Sequence, residues 1–342
     1  MITDWNSISK YRSALMGFSI LWIYFYHYQG LQLGGIIGRI IDAFLSIGWI
    51  GVDIFLFLSA IGCCFSLNKA PNTIQFYKRR VFRIVPTWWF FLTLFLVIAN
   101  IRKTDCPESI SDLILYFSGI GWWVNGLFEV PRQVYYEWYV PTLLLFYVTM
   151  PLLYKRSSRT LMYLFLVASF LSLALSYFDI FPSIYWSYQR IPIFILGVLF
   201  GKWMLTGNTE YKKCSLWTML FLLGLMSFLT VWMTNPFHRH MNLAVLRFSV
   251  TIFLPLFCML VGRCIESARL SKPLCYMGGV TLEIYMLHIY NLPLDYLKQY
   301  IGNHTIAVIV TLVFCVLIAY VVSIVFNANK VWSKIGLLFK KC

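Results

Sequence analysis

Residues Ile47–Leu67 read IGWIGVDIFLFLSAIGCCFSL, a run with no lysine or arginine and one carboxylate, Asp53. As a helix, a run of about twenty apolar residues rises roughly 30 Å, the thickness of a bilayer's hydrocarbon core. A segment this long and this apolar crosses a membrane. Working outward, comparable runs lie at 13–33, 84–100, 137–154, 160–178, 189–204, 215–233, 243–262, 275–292 and 305–327. A further stretch, 112–128, carries Asp112, Asn125 and three glycines, and is expected to lie in the interface or to re-enter between helices. The 342 residues are 60% hydrophobic and only 12% charged, which excludes a soluble globular domain. The expected fold is all-α: one transmembrane bundle of about ten helices spanning residues 1–342, with no attached soluble domain.

Charge orients these runs. Lys10 and Arg12, the group Lys69 to Arg83, Lys155 to Arg159, Lys202 to Lys213, Arg263 to Lys272 and Lys330 to Lys341 alternate with sparsely basic segments holding Arg39, Arg102, Arg132, Arg239 and Lys298. The positive-inside rule then puts both termini in the cytoplasm, and an eleventh crossing at 112–128 would scramble the alternation. The net charge of +15 therefore reads as orientation, and no stacking pattern accompanies it that nucleic acid would need. Nine cysteines show no zinc-ligand spacing, so no metal is expected. The first apolar run lacks a cleavage site and reads as a retained signal anchor. Oligomeric state is not legible.

Ionisable side chains inside these runs cost about 2.5–3.5 kcal/mol each on insertion scales, so they are paired, cavity-facing or functional. His27 falls late in the outward-running first helix and Asp53 early in the inward-running second, at similar depth. Glu137, Arg190 and Arg247 begin inward-running helices, His288 ends an outward one, and Glu283 lies deeper on the same helix. The set is expected to form one polar cavity biased to the outside. Within it His27 is either an interfacial hydrogen-bonding anchor or a general base. Asp53 either orients a histidine or forms a salt bridge with Arg190 or Arg247, and Glu283 is a further candidate partner for an arginine. His238 and His240 read as solvated. On the inner side Lys78, Arg79, Arg80 and Arg83 precede Pro86; Arg80 and Arg83 share a helix face, either as a positive-inside anchor or as a bidentate phosphate cradle.

Six segments in order resemble membrane acyltransferase family 3, the multipass O-acyltransferases of bacterial glycans. They are SALMGFSILWIYFYH ending at His27, GWIGVDIFLFLSA from Gly48, YKRRVFRIVPTWW with Arg80, Arg83, Ile84 and Pro86, EWYVPTLLLFYVTMP with Trp138, Tyr139, Tyr147 and Pro151, RIPIFILGVLFG from Arg190, and LEIYMLH ending at His288. Two positions depart from the family pattern. Met16 stands where relatives often carry a basic residue eleven positions before the histidine, and Arg12, one turn earlier, is the candidate substitute. A glutamate common after the tryptophan motif is replaced within Leu143–Leu145, leaving Glu137 as the alternative carrier.

The resemblance implies acetyl transfer from cytoplasmic acetyl-CoA, with no metal, to a sugar hydroxyl of a capsular or other surface polysaccharide or its lipid-linked precursor. The chain would then sit in the bacterial plasma membrane. His27 would be the base and Asp53 its orienting group; Arg79, Arg80 and Arg83 would hold the donor's phosphates. Glu137, Trp138, Arg190, Arg247, Glu283 and His288 are the candidates for acceptor binding or oxyanion stabilisation, and Ser59 reads as packing. The alternative from another class is a transporter of a lipid-linked sugar or organic anion, although no inverted repeat accompanies the charges.

Overall fold

The structure, a computed structural model, describes residues 5–103, 106–107, 109–128, 137–207, 214–289 and 297–326. Every regular element among them is helical. In chain order these are α1 (Asn6–Lys10), α2 (Arg12–His27), α3 (Gly35–Ser46), α4 (Ile50–Lys69), α5 (Thr73–Arg102), α6 (Ile110–Ser118), α7 (Ile120–Phe128), α8 (Tyr139–Tyr154) and α9 (Ser158–Tyr177). A 3₁₀ turn, η1 (Pro182–Ile184), leads to α10 (Tyr185–Tyr188), α11 (Ile191–Leu205), α12 (Cys214–Thr234), α13 (Arg239–Ser267), α14 (Ser271–Gly279), α15 (Thr281–Ile289) and α16 (His304–Val325).

Six helices are long and apolar enough to cross a membrane: α4, α5, α9, α12, α13 and α16. The other four expected runs form shorter helices. α2, α8 and α11 have 16, 16 and 15 residues, and the run 275–292 is split at Val280 into α14 and α15. The reason lies partly in position. α11 is buried through residues 192–201, so protein and not lipid surrounds most of its length. Exposure separates the long helices as well: 78% of the apolar window of α4 is buried, against 17% for α12, whose outward leucines and methionines suit a hydrocarbon solvent. The two chain ends, Arg132, the basic residues at 212–213 and those from 330 onward lie outside the described residues.

Stretch 112–128 forms two nine-residue helices, α6 and α7, broken at Gly119, too short to span. One amphipathic element escaped the sequence reading. Helix α3 exposes Ile36, Ile37, Ile40 and Phe44, and its Asp42 carboxylate accepts the backbone N–H groups of Leu31, Gln32 and Leu33, fixing the turn that follows His27.

Two close contacts set the frame of the site. A Cβ on Gly17 of α2 would sit 1.9 Å from the Leu274 carbonyl oxygen, and one on Gly278 of α14 would sit 2.0 Å from the Ser13 carbonyl oxygen. Only glycine lets these backbones touch, as small residues do between helices in membranes. This crossing locks α14 onto α2 and carries α15 alongside the second half of α2. Helix α4 runs antiparallel to α2. Gly51 near its start lies against Ser19 and Ile23, and Gly62 further along lies against Arg12.

Candidate active site

The chemistry-bearing side chains gather in three groups along α2. Its last residue, His27, points Nδ1 at Nε2 of His288 on α15, 2.8 Å away, with ring centroids 5.0 Å apart. His288 is fully buried, and its own Nδ1 lies 2.7 Å from the Ile284 carbonyl oxygen. A carbonyl only accepts, so His288 Nδ1 bears the proton, and neutral His288 offers the lone pair of Nε2. His27 Nδ1–H then donates to that lone pair. The remaining nitrogen of His27, Nε2, is left unprotonated, which is the state a general base needs.

Around this pair stand Tyr24, Tyr28 and Tyr285, each within ring-contact distance of His288. The Tyr285 hydroxyl donates to Glu137 Oε1 at 2.6 Å, and the same carboxylate accepts the N–H groups of Tyr139 (2.5 Å) and Val140 (2.8 Å). Glu137 thus caps α8 and anchors α15 in one stroke. It also lines a narrow cleft with Trp88, Leu92, Tyr116, Gly119, Trp122 and Pro141.

The second group holds Asp53. Its Oδ1 lies 3.1 Å from Arg190 Nε in an ion pair whose members are both enclosed by protein. Arg190 donates to the Trp186 carbonyl at 2.9 Å and lies under the Trp138 ring, 4.8 Å from its centroid. Arg247, 1% exposed, donates from Nη1 to Gln189 Oε1 and faces Trp49, Tyr185 and Trp186. Of the two readings open for Asp53, the structure presents the salt bridge. The orienting place beside His27 belongs to His288, because Arg190 opens α11 beside Asp53 and a guanidinium answers a full charge where an imidazole would not. The single cavity expected from helix depth is therefore two centres: among the described residues His27 shares no hydrogen bond, ring contact or ion pair with Asp53, Arg190 or Arg247.

The third group lies at the Arg12 end of α2. Arg80 Nη2 donates to the Gly62 carbonyl at 3.4 Å, and its guanidinium stacks between Phe76 and Tyr147, 5.4 Å from each centroid. Arg12 reaches the same glycine, with Nη1 2.6 Å from where a Cβ would stand. Arg12 lies within electrostatic reach of both Arg80 and Arg83. Glu283, expected with the other polar cavity, is instead within reach of Arg83, since the break at Val280 starts α15 close to α5. Arg79 departs from the cluster and donates to Ser66 Oγ at 3.3 Å on an exposed face. Ser59 lies beside the Tyr147 hydroxyl. His240, expected to be solvated, is tied to the Asp179 carboxylate.

The order of these groups along one helix, a basic cluster, a sealed ion pair and a histidine with a free nitrogen, accompanies a sequence match. The acyltransferase domain family matches residues 14–328. The chain belongs to the acyltransferase 3 family. No curated protein and no solved structure matches it. Membership makes the chain a membrane acyltransferase, and the apolar helices fit a multipass architecture. Two features had little signal in the sequence beyond the family motifs. Gln189 adjoins Arg190 but reads as an ordinary polar residue, and Tyr285 shows its use only once α8 and α15 are side by side. The only available signal for Tyr285 was its i, i+3 spacing from His288.

Proposed function

We propose that this acyltransferase moves an acetyl group from cytoplasmic acetyl-CoA to a sugar hydroxyl of a surface polysaccharide or its lipid-linked precursor, in the plasma membrane of a bacterium. The observation that carries the reading is the chain Ile284 carbonyl, His288, His27, which leaves Nε2 of His27 as a base. In this reading ten crossings place the Arg12 end of α2 inside and the His27 end outside. The donor's phosphates rest against Arg12, Arg80 and Arg83, and its long pantetheine arm runs along α2 towards His27, about 22 Å away at 1.5 Å per residue. The cradle is the candidate trio with Arg12 in place of Arg79, whose side chain turns away.

His27 Nε2 takes the proton of the acceptor hydroxyl as its oxygen attacks the thioester carbonyl. The C–S bond then breaks, and the CoA thiolate leaves with the proton that His27 returns. His288 accepts the Nδ1–H of the imidazolium throughout and so holds the ring in one orientation. Asp53 acts at a distance by keeping Arg190 charged and placed, and it is not a catalytic residue. Family membership favours acyl transfer over a transporter.

The test is acetyl transfer to the host's glycan by membranes carrying His27→Ala. Proton transfer by a placed base contributes about 10²–10⁴-fold, and a loss of that size at normal expression is expected. His288→Gln should lower kcat while leaving the KM for acetyl-CoA near its wild-type value. Retained acetylation by His27→Ala would remove the base assignment.

A further inference from the structure

The Asp53, Arg190 and Arg247 group holds more positive charge than its own carboxylate answers. Both guanidiniums stay protonated in any ordinary environment. Among the described residues no second carboxylate comes within ion-pair distance of either, so within that set one positive charge is enclosed in excess. Enclosing an unanswered charge is strongly unfavourable, and the fold accepts it only where something compensates.

The geometry of Arg247 says what that would be. Its Nη1 is spent on Gln189 Oε1 and the Tyr185 carbonyl. Its Nε and Nη2 are buried and meet no acceptor among the described residues. These two groups form one edge of the guanidinium, the parallel fork that grips both oxygens of a carboxylate or two oxygens of a phosphate. Asp53 does not fill that fork: its Oδ1 pairs with Arg190, and its Oδ2, also buried, makes no hydrogen bond or ion pair with Arg247. Around the fork stand Trp186, Tyr185 and Trp49, whose ring centroids lie 4.7, 5.5 and 5.8 Å from the guanidinium carbon. Trp186 also stacks on Trp138 at 6.0 Å. Aromatic faces beside a few directed polar groups are the lining of a small-molecule subsite. Tyr185 and Trp186 belong to the short α10 segment, which is latched near its start by Asp179 on His240. Its Tyr185 and Trp186 rings cover the arginines.

We propose that Arg247 recognises the acceptor. Its Nε/Nη2 fork takes an oxyanion carried by the glycan, so the acceptor is an acidic saccharide and not a neutral one. This rests on the acyl-transfer reading only for calling the ligand an acceptor. The oxyanion is either a sugar carboxylate or the phosphate of a lipid-linked precursor.

The experiment uses the full chain in lipid nanodiscs and follows thermal unfolding with paired probes: methyl glucuronoside against methyl glucoside, and a polyprenyl phosphate against the matching polyprenol. In the wild type at least one anion should raise the midpoint by a few degrees above its neutral partner. Arg247→Gln should erase that difference. A gain confined to the glucuronoside assigns a carboxylate, and one confined to the phosphate assigns the lipid-linked form. If neither anion outperforms its partner, or if Arg247→Gln keeps the gain, the inference is overturned. Should Arg247→Gln fail to fold, the wild-type comparison alone decides. Acetyl-CoA turnover is measured in the same nanodiscs. Anion binding without His27-dependent turnover overturns the acyl-transfer reading and leaves the anion site standing, whereas His27-dependent turnover without any anion preference overturns this inference alone.

Discussion

Arg190 and Arg247 are each 1% exposed and held by a carboxylate, an amide and tryptophan rings, whereas Arg83, near the opposite end of α2, is exposed and Arg80 is only partly covered. The same residue type does different work in the two places. Around Arg190, water is excluded and the charge is answered by Asp53, so that ion pair belongs to the fold, while Arg247 beside it keeps an unfilled edge. Around Arg80 the guanidiniums of Arg12, Arg80 and Arg83 lie near one another with Glu283 as the nearby acid, so mutual repulsion is relieved by water, salt or an anionic ligand. The sealed Asp53–Arg190 pair is expected to register in stability, and the open cluster in ligand affinity.

The sharpest way to break this comparison is Asp53→Ala. Removing one member of a buried pair leaves its partner uncompensated, at a cost of about 3–5 kcal/mol. Two arginines lose their shared counter-charge here, so the variant should express poorly and unfold well below the wild type. A thermal midpoint equal to the wild type's would show that the buried cluster is not held by Asp53. The paired measurement at the other end is Arg80→Gln with Arg83→Gln. Charge-assisted hydrogen bonds are worth about 1.5–3 kcal/mol. The double variant should therefore raise the KM for acetyl-CoA at least tenfold, about 1.4 kcal/mol, while its unfolding midpoint stays within a degree or two. An unchanged donor KM would remove the phosphate cradle.

How much of this was legible follows the same division. The apolar runs announced the helices because the bilayer demands about twenty consecutive apolar residues, and the glycine-interrupted stretch at 112–128 does form two short helices. That four of the runs form shorter helices was not foreseeable, since hydropathy reports what a residue prefers and not whether lipid or protein covers it. At the site, the residues were legible one by one and their pairings were not. Sequence position puts Asp53 and His27 at similar depth, but the antiparallel register of α4 on α2, with Gly51 against Ser19 and Ile23, sets Asp53 about two turns along from His27, where its carboxylate meets Arg190. Glu283 was misplaced because the break at Val280 changes the course of the helix that carries it. Helix α3 was missed because its apolar face is too short to register as a crossing.

The smallest expected effect tests whether Arg12 is part of the open cluster in earnest. Met16 stands where the family resemblance leads to the expectation of a basic residue, and Arg12 sits one turn earlier on the same helix, so its service depends on reach. The structure shows what sets that reach. Arg12 lies against α4 where Gly62 has no side chain, with Nη1 2.6 Å from the place a Cβ would occupy. Gly62→Ala puts a methyl group there. The atom it meets is the far end of a flexible side chain, so the backbone need not move; the guanidinium swings away instead. Inside a helix alanine is favoured over glycine by roughly 1 kcal/mol, which offsets part of any crowding, so the fold should be no less stable. The donor cradle should loosen, with the KM for acetyl-CoA rising a few-fold and kcat unchanged, because His27 is about 22 Å along the helix. Arg12→Gln should give a rise of the same size, and adding Gly62→Ala to it should add nothing further. An additive rise in the double variant would mean that Gly62 acts through some other contact and that Arg12 stands outside the cluster.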